Sequence, residues 1–140
     1  MPKPKMKKHL AIFTLSVAEQ ILAGEKTIET RFSQHKVAPF GQVEVGDLVF
    51  IKPVGQDLAG QFWVEKVISF QGLNTDDWKL IKENYGQKLS LGSKEEDEKF
   101  FKEKAEANFG TLIFIGRVER FLTSPIKIEK KDRRGWIVLD

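Results

Sequence analysis

Apolar residues in this chain fall in short runs of two different periods, separated by clusters of Gly, Pro, Asp and Ser. Residues 9–15 form an almost unbroken apolar run, the pattern of a buried strand. Ser16 with Glu19 three positions on reads as a capping box, and Gly24 as a C-terminal stop. Between them residues 17–23 spell a short helix with Val17, Ile21 and Leu22 facing inward. A strand over 26–31 follows, then an irregular loop over 32–45 containing Pro39 and Gly41. Gly46-Asp47 is a turn signal ahead of a strand at 48–52; residues 53–60 turn again, and 61–70 alternate as the returning strand of an antiparallel hairpin.

The second half changes period. Thr75 followed by Asp76 and Asp77 opens a helix with Trp78, Ile81 and Tyr85 on one face. Ser93 and Glu96 form a further capping box for a charged helix, whose narrow apolar stripe is Phe101, Ala105 and Phe109. After Gly110 come strands at 111–118 and 136–139. Five or six strands with three short helices between them predict an α+β fold, a small mixed β-barrel with helices packed around it. One domain over 9–140 is expected, behind a flexible basic N-terminus at 1–8.

Composition narrows the chemistry. With no cysteine among 140 residues, disulfides, thiolate metal sites and a cysteine nucleophile are excluded. Two histidines, His9 and His35, are too few for a histidine-rich metal centre, and no cofactor is expected. Glu29 and Asp47 are a carboxylate pair of unknown proximity, which makes no case for a metal. No apolar run approaches the ~20 residues that span a bilayer, and no signal-type segment follows the basic start, so a cytoplasmic protein without a membrane partner is expected. The glycines form no phosphate-cradling loop.

Charge is unevenly placed around a net +3. Residues 1–8 hold four lysines and no acid, and residues 117–134 hold Arg117, Arg120, Lys127, Lys130, Lys131, Arg133 and Arg134 against Glu119, Glu129 and Asp132. Such asymmetry suits a basic face for polyanions, while the acidic helix between reads as a solvated face. Arg133, Arg134 and Trp136 together suit phosphate contact and base stacking, with Trp136 as core or rim. Lys52, at the end of its strand, is a further phosphate candidate.

The residues that most demand a reason are Lys26, Glu29 and Arg31, in one extended segment between apolar runs, where unpaired charge is costly. In a strand, Lys26, Ile28 and Thr30 point one way and Thr27, Glu29 and Arg31 the other. Glu29 and Arg31 are then neighbours on one face, about 7 Å apart along the strand, close enough to pair or share a ligand. An edge-strand pair that merely keeps the protein soluble is the plain structural alternative.

The stretch Leu22-Ala-Gly-Glu-Lys26-Thr-Ile-Glu29-Thr-Arg31 resembles the G-x-K-x-x-E-x-R signature of ASCH domains, a branch of the PUA-like superfamily. The Gly46-Asp47 turn and the strand pair after it also fall where that family has them. The resemblance implies a PUA-like barrel with a cleft lined by Lys26, Glu29 and Arg31, binding RNA or a nucleotide-derived ligand. Some small relatives are amidohydrolases that remove an acyl group from a modified cytidine; their lysine corresponds to Lys26, but their threonine nucleophile falls where this chain has Glu29. A carboxylate is a poor substitute for an activated hydroxyl, so the resemblance implies a binder before a covalent hydrolase. A hydrolase would use Glu29 as general base with Lys26 and Arg31 stabilising negative charge, and Glu83 as a further carboxylate.

Overall fold

A computed structural model of the chain describes residues 6–86, 94–123 and 134–139. Its elements in chain order are β1 (Lys8–Phe13), α1 (Leu15–Leu22), β2 (Ile28–Ser33), β3 (Leu48–Pro53), β4 (Gly60–Gln71), α2 (Thr75–Tyr85), α3 (Lys94–Lys104), β5 (Phe109–Arg120) and β6 (Trp136–Leu139). The six strands form one curled sheet in the order β2-β5-β4-β3-β1-β6. Only β1 and β3 run parallel; the other four pairings are antiparallel.

Strand alternation sorts the apolar side chains into an inner and an outer set. Ala11 and Phe13 of β1, Val49 and Ile51 of β3, Ile113 and Ile115 of β5 and Trp136 of β6 meet Ala18 and Ile21 of α1 in the inner core. The alternate residues build two outer clusters. One places Ile28, Phe32 and Leu112 under Ile81 of α2 and Phe100 of α3; the other gathers Leu10, Leu48, Phe50 and Leu58. The central strands are buried on both faces, which is why β1 and β3 read as continuous apolar runs. In β4 the register shifts between Phe62 and Val64 and again between Val64 and Lys66. The first shift places the extra residue in β5 and the second places it in β4, where the inward parity changes from even residues (Phe62, Val64) to the odd Val67.

Several boundaries differ from the sequence expectations. Thr14, not Ser16, caps α1, its Oγ1 accepting the Val17 N–H at 3.3 Å. Asn74 caps α2 one residue before Thr75, in a reciprocal box with Asp77. The Ser93 cap lies outside the described residues. α3 ends at Lys104, so of the expected apolar stripe only Phe101 lies on it; Ala105 is in the following turn and Phe109 in β5. The folded chain begins before residue 9: β1 starts at Lys8, and the Lys7 N–H donates to Asp47 Oδ1 at 3.1 Å.

Gly24 stops α1 as expected, at φ +77° with its N–H bonded to Ile21 O at 3.0 Å. No atom lies within 4 Å of a Cβ built there, so Gly24→Ala meets backbone strain alone. A loss of about 1 kcal/mol in urea unfolding is expected. A neutral substitution would show that this turn relaxes to negative φ.

Candidate functional site

β2 is an edge strand, and its free edge shapes the site. Thr27 O accepts the Ile115 N–H at 2.8 Å and Ser33 O the Asn108 N–H at 2.9 Å, so the odd residues pair with β5 and the even ones turn their backbone outward. An outward N–H in a buried place needs an acceptor. Glu29 supplies it, its Oε1 accepting the Thr30 N–H at 2.7 Å with Glu29 itself only 7% exposed. The carboxylate keeps further lone pairs.

Arg31 lies two residues on, on the same face as Glu29. Its NH2 donates to Ile12 O of β1 at 2.8 Å and its NH1 to Gly135 O, just before β6, at 3.2 Å. Its guanidinium sits over the Phe13 ring at 5.0 Å and the Trp136 ring at 5.2 Å. The sheet does not close by strand pairing between β2 and β6; one side chain spans the two edges. The barrel expected from sequence is therefore a curled half-barrel clasped by Arg31. Gly135 fits the clasp closely, since a Cβ there would meet Arg31 NH1 at 3.1 Å.

Beside this clasp opens a cavity of about 600 Å³, within the usual range of about 300–1,000 Å³ for small-molecule sites. β2 gives it Glu29, Thr30, Arg31, Phe32 and Ser33; the following loop gives Val37, Ala38, Pro39 and Phe40, with the Ala38–Pro39 peptide cis. Phe13, Thr14, Ser16 and Trp136 line the opposite side. The third wall is α3, through Glu96, Phe100 and Lys104. These stand at i, i+4 and i+8 and so share one helical face. Among the described lining residues, Arg31 and Lys104 face Glu29 and Glu96, so the cleft is balanced in charge.

Lys26 stands just before β2 and is 4% exposed. Burial lowers its amine below the ordinary lysine value; the carboxylates of Glu29 and Asp97 oppose that shift, and Arg31 adds to it. Arg31 is also lowered by burial, with Glu29 opposing. Folded Lys26 holds its proton less tightly than the unfolded chain, so between its lowered value and 10.5 the unfolded chain binds more protons. The cost of burying this charge is present in full below that window and is relieved as pH rises through it. Lys26→Met removes the group. In urea unfolding from neutral pH to about pH 10, the stability difference should therefore move in favour of the wild type as pH rises. A pH-independent difference would contradict this.

The sequence candidates are thus partly gathered. Glu29, Arg31 and Trp136 line one cleft, and Lys26 lies close enough to Glu29 and Arg31 to feel both charges. Lys52 sits on β3 beside Ile12, on the outer face, and does not line the cavity. Arg134 lines an adjoining hollow with Val37, Ala38 and Gln42, while Arg133 lies outside the described residues. Trp136 is both core and wall, 3% exposed. Glu83 is exposed on α2 and apart from the cleft lining. Among the described residues no cluster of three or more His, Asp or Glu side chains is gathered as for a metal ion, and no helix is long and apolar enough to cross a membrane.

Sequence reasoning overlooked two contributions. It read the acidic helix as a solvated face, although the spacing of Glu96, Phe100 and Lys104 carried the signal of a shared face. It also overlooked a buried chain of hydrogen bonds from Asp47 through His9 to Trp136. No local signal marks that chain.

The curled six-stranded sheet with three helices is an α+β fold shared with solved structures of ASCH proteins. Solved structures carry the same fold. A serine-to-alanine mutant of the ASCH protein from Zymomonas mobilis superposes with a TM-score of 0.69 over 98% of this chain and 91% of its own, at 14% identity. The unmutated Zymomonas mobilis ASCH gives 0.59 over 81% and 70%, also at 14% identity. The hypothetical protein PH0355 gives 0.54 over 80% and 97%, at 15% identity. No family model and no curated protein sequence matches the chain.

Proposed function

We propose that this ASCH-type domain binds RNA or a nucleotide-derived ligand by enclosing one base in the cleft between Glu29–Arg31 and the aromatic walls. The observation that carries this reading is a carboxylate and a guanidinium two residues apart on one face of β2, both lining a cavity of about 600 Å³ walled by Phe13, Phe40, Phe100 and Trp136. A base edge offers an N–H donor beside an acceptor, which Glu29 and Arg31 complement, while its faces suit aromatic walls. The balanced lining favours one base over a long phosphate track. Cytosine and guanine both present the required donor and acceptor.

Calorimetric titration with cytidine, guanosine and a short single-stranded RNA tests the reading. Saturable binding is expected, with a shallow salt dependence for the RNA, since few phosphates would be neutralised. Absence of binding by all three at low salt would reject it.

A second reading is hydrolysis of an acylated nucleoside or of RNA. It is favoured by one observation, the buried Lys26 with its lowered affinity for protons beside Glu29, because perturbed groups cluster at catalytic sites. Glu29 would activate water, and Lys26 and Arg31 would stabilise the oxyanion. Incubation with acylated cytidine and with RNA, followed by chromatography, decides it; no product, or equal rates in wild type and Glu29→Gln, excludes this chemistry.

A further inference from the structure

We propose that His9 and Asp47, which do not line the cleft, are its positioning residues: His9 fixes the Trp136 indole, and the indole with Gly135 fixes the guanidinium of Arg31. His9 is wholly buried and Asp47 is 2% exposed, an expensive pair to hold in an apolar core without a purpose. Asp47 already has other partners: Oδ2 accepts the Glu44 N–H of its own turn at 2.9 Å, and Oδ1 the Lys7 N–H ahead of β1 at 3.1 Å. Its additional 2.8 Å contact with His9 Nε2 serves His9.

The partners assign the tautomer. Trp136 Nε1–H can only donate, and it reaches His9 Nδ1 at 3.0 Å, so Nδ1 is the acceptor. The proton therefore sits on Nε2 and is donated to the Asp47 carboxylate. An imidazole oriented by a carboxylate on one nitrogen presents a fixed acceptor on the other. The indole so held lies against the guanidinium of Arg31 at 5.2 Å, with the Phe13 ring at 5.0 Å, and Gly135 O adds a backbone bond at 3.2 Å. Asp47, His9, Trp136 and Arg31 thus form one continuous line from the turn before β3 to the cleft. Removing His9 would strand a buried indole N–H and loosen the wall against which Arg31 rests.

The affinity part of this proposal rests on the nucleobase reading; the positional part does not. Two readouts keep them apart. One is hydrogen exchange of the Arg31 guanidinium protons by NMR, and the other is cytidine and guanosine affinity. In His9→Leu, Arg31 exchange should accelerate and nucleoside affinity fall, each about tenfold, the scale of one lost buried hydrogen bond. His9→Asn places an amide oxygen near the Nδ1 position and should restore most of both. Trp136→Phe keeps a ring over Arg31 but removes the donor; it should accelerate exchange likewise, and it replaces His9→Leu if that variant does not fold. Unchanged Arg31 exchange in a folded His9→Leu or Trp136→Phe overturns the positioning role, even if thermal stability drops. If wild type binds neither nucleoside while Arg31 exchange still responds to His9, the ligand reading falls and the positioning role stands.

Discussion

Replacing Arg31 with alanine should unfold this protein about 10 °C earlier and abolish nucleoside binding together. The guanidinium bonds to Ile12 O and Gly135 O, lies over the rings of Phe13 and Trp136, and is the cation nearest in sequence to Glu29 on its face. Alanine removes two charge-assisted hydrogen bonds and leaves a 7%-exposed carboxylate without that neighbour. Breaking such an arrangement costs about 3 kcal/mol or more, which in a domain of this size corresponds to roughly 10 °C. Gly135 O would keep one partner, the Ile12 N–H at 2.9 Å, so β6 should stay docked on β1 while β2 loses its tie. Arg31→Lys retains charge but cannot span both carbonyls with a planar fork, so it should recover less than half of the lost stability. Differential scanning calorimetry of both variants checks this; an Arg31→Ala protein that melts with the wild type would show that the clasp is not what closes the half-barrel.

Glu29→Gln should lower nucleoside affinity by about five- to tenfold, the span expected when a charged hydrogen bond of about 1.5–3 kcal/mol becomes a neutral one of about 0.5–1.5 kcal/mol. The substitution keeps an oxygen able to accept the Thr30 N–H, so the free edge of β2 stays satisfied and melting should change far less than in Arg31→Ala. That separation of binding from stability distinguishes a ligand-facing carboxylate from a merely structural one. Calorimetric titration of cytidine and guanosine into the variant measures it. Unaltered affinity together with unaltered turnover would assign Glu29 to the edge of β2 alone. If the variant instead binds normally but turns over no acylated cytidine that the wild type hydrolyses, Glu29 is a general base rather than a recognition group.

Local rules made much of this fold legible. The apolar runs of β1 and β3, the stop at Gly24 and the Gly46-Asp47 turn all depend on near neighbours in the chain, and each marks a real element. The shared face of Glu29 and Arg31 was legible for the same reason, since alternation is a property of a single strand. Even the misplaced caps, at Thr14 and Asn74, erred by only one or two positions, because Ser, Thr and Asn compete for the same role at the head of a helix.

Other features depend on where distant segments meet. The bulges where β4 pairs with β5 change which residues face inward, and nothing in the local composition marks them. The face of α3 that lines the cleft was written in its 96-100-104 spacing, but which side of a charged helix meets the protein is decided by Phe100 docking beside Phe32, at 6.0 Å. His9 meets Asp47 across 38 positions and Trp136 across 127, and no periodicity links them. The elements, their order and the shared face of Glu29 and Arg31 could be read along the chain, because local backbone geometry sets them. The clasp of Arg31 on two sheet edges, with His9 behind it, could not, because those contacts exist once the sheet has curled around its core.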